Sequence, residues 1–270
     1  MQTNNKTSDD AQRLSPSAYL AKALPIVQKA NAISLRYFRK GFTQEEKGPG
    51  DVVTQADKEI ERFLIEQLGV LFPGTGFLGE EYGAQGSQDL VWVMDPIDGT
   101  ANFSRGLEFY CTSVALVEKG VPIVGMVINP VTGECFSAAK GCGANLNDMP
   151  IRVSDATLRK SMVVDGLGLS LPQQRERLAR IGRIAAETWQ VRILGAIALE
   201  MAYIAAGRLD IRACSNQKPW DVAAGAVLVQ EAGGKATDFA GSDWRMGAEG
   251  IVASNGTAHD TLLGLIHRKE

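Results

Sequence analysis

Histidine is nearly absent from this chain of 270 residues: there are two, His259 and His267, both within the last dozen positions. A histidine-based triad or a phosphohistidine intermediate would have to be built from the C-terminal tail, so neither is expected. Cysteine is sparse too. Cys111, Cys135, Cys142 and Cys214 are irregularly spaced and form no Cys-x-x-Cys pair, which argues against a zinc site or a disulfide framework and for free thiols in a reducing cytoplasm. Neither sign of charge dominates: the net charge is −3, with acids and bases interspersed, so no nucleic-acid face and no membrane surface is indicated. No apolar run approaches a membrane span, and residues 1–14 are polar, without the apolar segment of a leader. There is no internal repeat. What the chain has in quantity is core, with 45% hydrophobic residues, enough for one large domain or two apposed halves.

Chemistry is concentrated in residues 91–103, where Val91-Trp92-Val93-Met94 reads as a buried strand running into Asp95-Pro96-Ile97-Asp98-Gly99-Thr100. Pro96 lacks an N–H and is expected to stop the ladder, and Gly99-Thr100 is suited to opening a helix whose free N–H groups face an anion. Asp95 and Asp98, with the Ile97 carbonyl between them, are hard oxygen donors of the kind Mg²⁺ takes together with a substrate phosphate. An Asx turn capping a helix would use the same residue types.

The rest of the chain frames that stretch. Residues 1–14 are expected to be a disordered lead-in. A helix is expected over 15–40, with Pro25 inside it, then a polar loop over 41–50. Next comes a helix ending near 71, whose Ile60, Phe63, Leu64, Ile65 and Leu68 form an apolar stripe. Glu80-Glu81 follows a short strand at 77–79. Strands are expected over 111–117, 122–129, 133–139 and near 151. After Ser154 the pattern alternates, with strands near 162–164, 190–194, 209–213, 235–237 and 251–254 and helices near 172–188, 198–206, 221–232 and the end. The fold class is therefore α/β: an α+β N-terminal half over 15–154, holding metal and phosphate, and an α/β C-terminal half over 155–270, holding substrate.

Asp57, Glu80-Glu81, Asp95 with Asp98, and Asp221 all stand at ends of these elements. If the strands are parallel neighbours, their ends converge on one cleft, and carboxylates crowded there demand cations. Each acid taken alone has an ordinary reading as a helix cap or a solvated charge.

Taken together, Asp51-x-x-Thr54-x-x-Asp57, Gly79-Glu80-Glu81, Trp92-x-x-Asp95-Pro96-Ile97-Asp98-Gly99-Thr100 and Trp220-Asp221-Val222-Ala223-Ala224-Gly225, in this order, resemble the inositol monophosphatase family of Mg²⁺-dependent, lithium-sensitive phosphatases. The resemblance extends over nearly the whole chain and includes Lys140-Gly141-x-Gly143-Ala144 and the Gly195 region. It implies a layered αβαβα fold, usually dimeric, acting on a small phosphorylated substrate with two, in some members three, Mg²⁺ ions. It further implies that Glu80, Asp95 and the Ile97 carbonyl hold one ion and that Asp95, Asp98 and Asp221 hold the second. Gly99 and Thr100 would hold phosphate, and Thr100 with Asp57 would activate water. Gly195 and Ala196 join Asp98, Asp221 and residue 214 at the substrate. An aspartyl-phosphate mechanism fits less well, because Asp-x-x-Asp-Gly-Thr has one residue more than the Asp-x-Asp-Gly-Thr it uses.

One position departs from the pattern. The inositol enzymes carry a substrate-binding acid seven residues before the Trp-Asp aspartate, and here that residue is Cys214, with Glu200 and Asp210 as the nearby acids able to take the role. A thiol is a weak donor and acceptor, so altered alcohol selectivity is expected. Inositol 1-phosphate, histidinol phosphate, fructose 1,6-bisphosphate and 3′-phosphoadenosine 5′-phosphate all remain open as substrates, as does a mainly non-catalytic, transcription-associated role.

Overall fold

Helix α1 (Pro16–Tyr37) begins where Ser15 accepts a hydrogen bond from the Ala18 N–H at 3.2 Å and Pro16 pre-sets the first turn; it runs through Pro25. The computed structural model describes residues 13–40, 44–48, 51–167 and 171–267, so the expected lead-in lies almost wholly outside the described residues. The polar loop expected next is in part a hairpin, β1 (Gln44–Gly48) paired antiparallel with β2 (Asp51–Thr54). Gln44-Glu45-Glu46-Lys47-Gly48 has no apolar alternation, which is why the sequence pattern does not announce a strand there.

From β2 the chain enters α2 (Gln55–Leu71), then β3 (Gly76–Gly79), the short unexpected β4 (Gly83–Gln85), β5 (Leu90–Asp98), and the single-turn α3 (Thr100–Ser104). The meander follows as β6 (Cys111–Glu118), β7 (Val121–Asn129), β8 (Glu134–Ala139), β9 (Ala144–Leu146) and β10 (Met149–Ile151). The remainder is β11 (Met162–Val164), α4 (Leu171–Ala185), β12 (Gln190–Arg192), α5 (Ile197–Ala205), β13 (Ile211–Ser215), α6 (Pro219–Glu231), β14 (Lys235–Thr237), β15 (Gly250–Ser254) and α7 (His259–His267).

These elements stack in five layers, αβαβα. The eight-stranded sheet has the order β10-β9-β8-β7-β6-β5-β3-β4, and the five-stranded sheet β12-β11-β13-β15-β14. Because side chains alternate along a strand, β5 sends Trp92 and Met94 toward Ile60, Leu64 and Leu68 of α2, and Val91 and Val93 toward the cluster that holds α5 and α6. That second cluster draws on both sheets, so the segments before and after residue 154 share one core. On the far side, Ile184 of α4 and Leu262 of α7 close over Val163, Ile211, Ala213 and Val252.

Two expectations about strand direction need correction. Of the site-bearing strands only β3 and β5 are parallel neighbours, with Gly79 opposite Met94; β6 joins β5 antiparallel, and in the second sheet β13 is parallel to β11 but antiparallel to β15. Pro96 does not end its strand either. β5 pairs Asp95 with Ser113 and resumes at Asp98 with Cys111, three residues against two, so Pro96 and Ile97 form a bulge. Thr112 Oγ1 donates to the Pro96 carbonyl at 2.8 Å across it. In a regular strand Asp95 and Asp98 would face opposite sides; the extra residue cancels that difference and turns both toward one end of the strand.

Candidate active site

The parallel pairing of β3 with β5 carries the chain from Gly79 into Glu80 beside the point where β5 reaches Asp95. Glu80-Glu81 is held there from beneath by a residue the motif reading passed over. Glu61 of α2 is fully buried and its carboxylate accepts the Glu81 N–H at 2.8 Å and the Tyr82 N–H at 2.9 Å. A Cβ on Gly79 would stand 1.9 Å from a Glu61 oxygen, so only glycine fits at that point. The signal for Glu61 was present in the sequence: it lies four residues after Asp57 and seven before Leu68, on the apolar stripe of its helix.

Two of the remaining acids arrive on helix N-termini. Asp57 is buried in the first turn of α2, where Oδ2 accepts from the Thr54 N–H at 2.9 Å and from Thr54 Oγ1 at 2.5 Å. Asp221, half-buried in the first turn of α6, accepts from the Lys218 N–H at 2.9 Å. Both are helix caps as well as members of the cluster. Ser113 of β6 donates to the Trp220 carbonyl at 3.3 Å, tying the start of α6 to the strand beside β5.

Asp98 is placed differently. Its oxygens accept from three N–H groups at the head of α5: Ile197 at 2.9 Å, Ala198 at 2.7 Å and Leu199 at 3.3 Å. Gly99 follows with φ of +91°, a conformation that favours glycine, and a Cβ there would stand 2.9 Å from that of Ala196. Thr100, at the start of α3, donates its hydroxyl to the Ile97 carbonyl at 2.9 Å. That carbonyl keeps a second lone pair. No hydrogen bond joins Thr100 to Asp57 in this arrangement; each is bonded within its own turn. Asn102, just after the acid motif, donates to the carbonyls of Phe109 at 2.8 Å and Leu194 at 2.7 Å and so clamps the acid turn to the Gly195 loop.

The acids shift one another's titration strongly. Burial, and then the charges of Glu80, Asp98, Asp221 and Asp57, push Asp95 well above the usual carboxylate range. Burial likewise pushes Asp57 to about 7 against the pull of its two Thr54 hydrogen bonds, with Glu81 and Glu80 adding to the rise. Asp98 rises to about 7 through burial, Asp221 and Glu200, and Asp221 to about 7 through burial and Glu80, opposed by the Lys218 N–H. Among the described residues no three His, Cys, Asp or Glu side chains, as placed, form a group able to hold a metal ion. Asp57, Asp98 and Asp221 are each engaged with a helix N-terminus. An open set of buried carboxylate oxygens is nonetheless the donor chemistry that fits Mg²⁺, which takes one or two carboxylates and retains sites for water and phosphate.

Beside Asp98 lies a cavity of about 440 Å³ lined by Gly195, Ile197, Glu200, Arg212 and Arg177 among others. Cys214, expected at the substrate, is not in its wall: it lies on β13 with 0% exposure, inside the core shared by the two sheets. Ala196 is also fully buried, packed against Gly99, whereas Gly195 reaches the cavity. Of the two acids able to replace residue 214, Asp210 accepts the Met162 N–H at 2.6 Å and is a structural tie. Glu200 takes the cavity position, one oxygen on the Gly195 N–H at 2.9 Å and the other on Arg212. Each is a single charge inside an apolar element, Ile197-Ala198-Leu199-Glu200-Met201 and Ile211-Arg212-Ala213, and that pairing of lone opposite charges was the available signal.

Comparison with known proteins points to one family. Residues 16–270 match the model of the inositol monophosphatase family. The chain is 38% identical over 266 residues to inositol monophosphatase 3 of Solanum lycopersicum, covering 94% of this chain and 98% of the relative. It is 38% identical over 223 residues to the Nus factor SuhB of Xylella fastidiosa, covering 80% of each. The crystal structure of the extragenic suppressor protein suhB from Bartonella henselae superposes with a TM-score of 0.87 at 32% identity, covering 94% of this chain and 99% of that one. The layered fold, the acid cluster at the end of β5 and these matches lead to one conclusion: the chain belongs to the inositol monophosphatase family and is a phosphoric monoester hydrolase.

Proposed function

We propose that this protein is a Mg²⁺-dependent phosphomonoesterase that hydrolyses inositol 1-phosphate or a related small phosphate ester, with water as the nucleophile. The observation that carries the reading is the mutual destabilisation of buried Asp95, Asp98 and Asp57 with Glu80 and Asp221, negative charge that a bound cation relieves. Mg²⁺, when bound, supplies Lewis acidity toward water and phosphate. Glu80, Asp95 and the Ile97 carbonyl would hold one ion and Asp95, Asp98 and Asp221 a second, and the family resemblance would add a third near Glu80. Asp57, already near neutrality, would accept the proton of the attacking water, and Thr100 would orient that water. The N–H groups of Gly99 and Thr100, at the head of a helical turn, would hold the phosphate oxygens. As the water oxygen bonds to phosphorus the ester P–O bond breaks, and the alcohol leaves beside Gly195 and Glu200.

Purified protein assayed with inositol 1-phosphate, histidinol phosphate, fructose 1,6-bisphosphate and 3′-phosphoadenosine 5′-phosphate should release phosphate from at least one in Mg²⁺ and from none in EDTA. Hydrolysis that EDTA leaves untouched, or no hydrolysis in Mg²⁺, overturns the proposal. The similarity to a Nus factor supports a second reading, a role in contacts with the transcription machinery. It would be favoured if a variant without activity still complemented loss of the gene.

We further propose a homodimer in the cytoplasm. Trp189 and Ile193, 63% and 57% exposed, flank edge strand β12, and all four cysteines are free. No helix among the described residues is long and apolar enough to cross a membrane. Light scattering at the mass of a single chain would rule the dimer out.

A further inference from the structure

Two buried arginines, Arg177 and Arg212, line the cavity, and a third, Arg180, is buried on the same helix as Arg177. Arg177 of α4, Arg180 of α4 and Arg212 of β13 are 6%, 3% and 1% exposed, an unusual burial for three guanidinium groups side by side. Two of them are neutralised: Arg212 pairs with Glu200, and Arg180 lies 3.3 Å from the buried Asp165. Arg177 is not. It donates to two carbonyls, Gly166 at 3.2 Å and Ser215 at 2.7 Å, and no carboxylate among the described residues lies within 4.0 Å of it. Nη1 and Nη2 each keep one further N–H beyond these two bonds, and the Nε–H is buried without a partner. Burial pulls its guanidinium below the usual arginine value, outweighing the opposite pull of Cys214 and Asp165.

The same cavity touches Asp98 of the acid cluster as well as Arg177 and Arg212. The carboxylates that line the cavity are already engaged, Asp98 by three N–H groups of α5 and Glu200 by Arg212. Where the inositol enzymes place a hydroxyl-binding acid, this chain has Cys214, buried and out of contact. With Glu200 in the cavity paired to Arg212, the cation of the recognition wall left without a carboxylate is Arg177.

We propose that this cavity binds an anionic substituent, a carboxylate or a second phosphate, on the alcohol portion of the phosphate ester, with Arg177 as the determinant of that specificity and Arg212 beside it. This rests on the phosphatase reading above and narrows its substrate class. The planar guanidinium fork matches either anion in two-point contact, and a charge-assisted pair in a dry site discriminates by about ten- to a hundredfold.

Two matched pairs test the inference: glycerol 3-phosphate against 3-phosphoglycerate, and inositol 1-phosphate against inositol 1,4-bisphosphate, each assayed in Mg²⁺. The wild type should prefer the anionic member of at least one pair by tenfold or more in kcat/KM, and the pair that shows it tells carboxylate from phosphate. Arg177→Gln should abolish the preference chiefly through KM while leaving the neutral member within threefold. Arg177→Lys should keep part of it. Equal rates within both pairs for the wild type, or an equal loss on both members in Arg177→Gln, overturns the inference, since a residue that only props Gly166 and Ser215 would affect both members alike. If Arg177→Gln fails to fold, the wild-type preference and its decline with added salt decide. If none of the four esters is hydrolysed, histidinol phosphate, fructose 1,6-bisphosphate and 3′-phosphoadenosine 5′-phosphate decide the phosphatase reading. Calorimetry of glycerate against glycerol on the same protein then tests the cavity alone, and no difference between them overturns it.

Discussion

At the residue scale the site turns on Asp95, the carboxylate raised by all of Glu80, Asp98, Asp221 and Asp57. Removing its charge removes the proposed bridge between two ions and, without metal, relieves repulsion among the acids that remain. Asp95→Asn should therefore lower kcat/KM by roughly a thousandfold or more while its melting temperature in EDTA stays equal to or above that of the wild type. Near wild-type turnover in saturating Mg²⁺ would remove Asp95 from the mechanism. Thr100 and Asp57 form a different kind of test, since they would act together on one water. Thr100→Ala and Asp57→Asn should each be slow yet still bind Mg²⁺, and the double variant should be no slower than the worse single. Multiplicative losses in kcat would show that they act separately. That no hydrogen bond joins them here, Thr100 bonding Ile97 and Asp57 bonding Thr54, makes this cycle informative.

At the scale of elements, the site depends on how helix starts and strand ends are fastened. The β3–β4 hairpin carries Glu80-Glu81, and its attachment to α2 runs through Glu61, whose two oxygens take the Glu81 and Tyr82 N–H groups. Glu61→Ala should loosen that turn without touching substrate. The half-saturating Mg²⁺ concentration should rise about tenfold, as for other residues that support ligands, with kcat largely recovered at high Mg²⁺. An unchanged Mg²⁺ dependence would mean that the turn holds without it. Periodicity made most of these elements legible, and α2, β11 and β14 follow closely the bounds expected from sequence. The hairpin β1–β2 and strands β4 and β9 were not legible. They are short or polar and exist because a neighbouring strand supplies hydrogen bonds, an effect that local sequence does not record.

At the scale of the whole molecule, burying this many acids links folding to pH and to metal. Asp57, Asp98 and Asp221 are held at about 7 in the folded chain against an ordinary 3.8. Between those values the folded state binds more protons than the unfolded one, so stability without metal falls as pH rises through that window. His259, kept below its ordinary 6.5 by burial between Ser254 and Thr237, acts in the opposite sense as pH falls. It lies outside the acid cluster, so its contribution cancels when EDTA and Mg²⁺ are compared at one pH. The melting temperature gained on adding Mg²⁺ should therefore grow from about pH 5 to about pH 7.5. A gain that shrinks over this range would show that the acids are not what the metal stabilises.

The sequence by itself determined the identity and order of the acids, the strand that delivers Asp95 and Asp98, the glycine that must follow them, and the class of chemistry that an almost histidine-free chain can perform. Local rules suffice for these, because periodicity, turn chemistry and donor type are properties of neighbouring residues. Only the tertiary structure decided which acids meet. A bulge at Pro96 brings Asp95 and Asp98 to one end of the strand, helix caps carry Asp57 and Asp221 to it, and Glu61 fixes Glu80 from the next layer. It also decided that Cys214 is core and that Glu200, Arg212 and Arg177 form the cavity wall. Burial and ion pairing between elements set those roles, and each depends on contacts between residues distant in the chain.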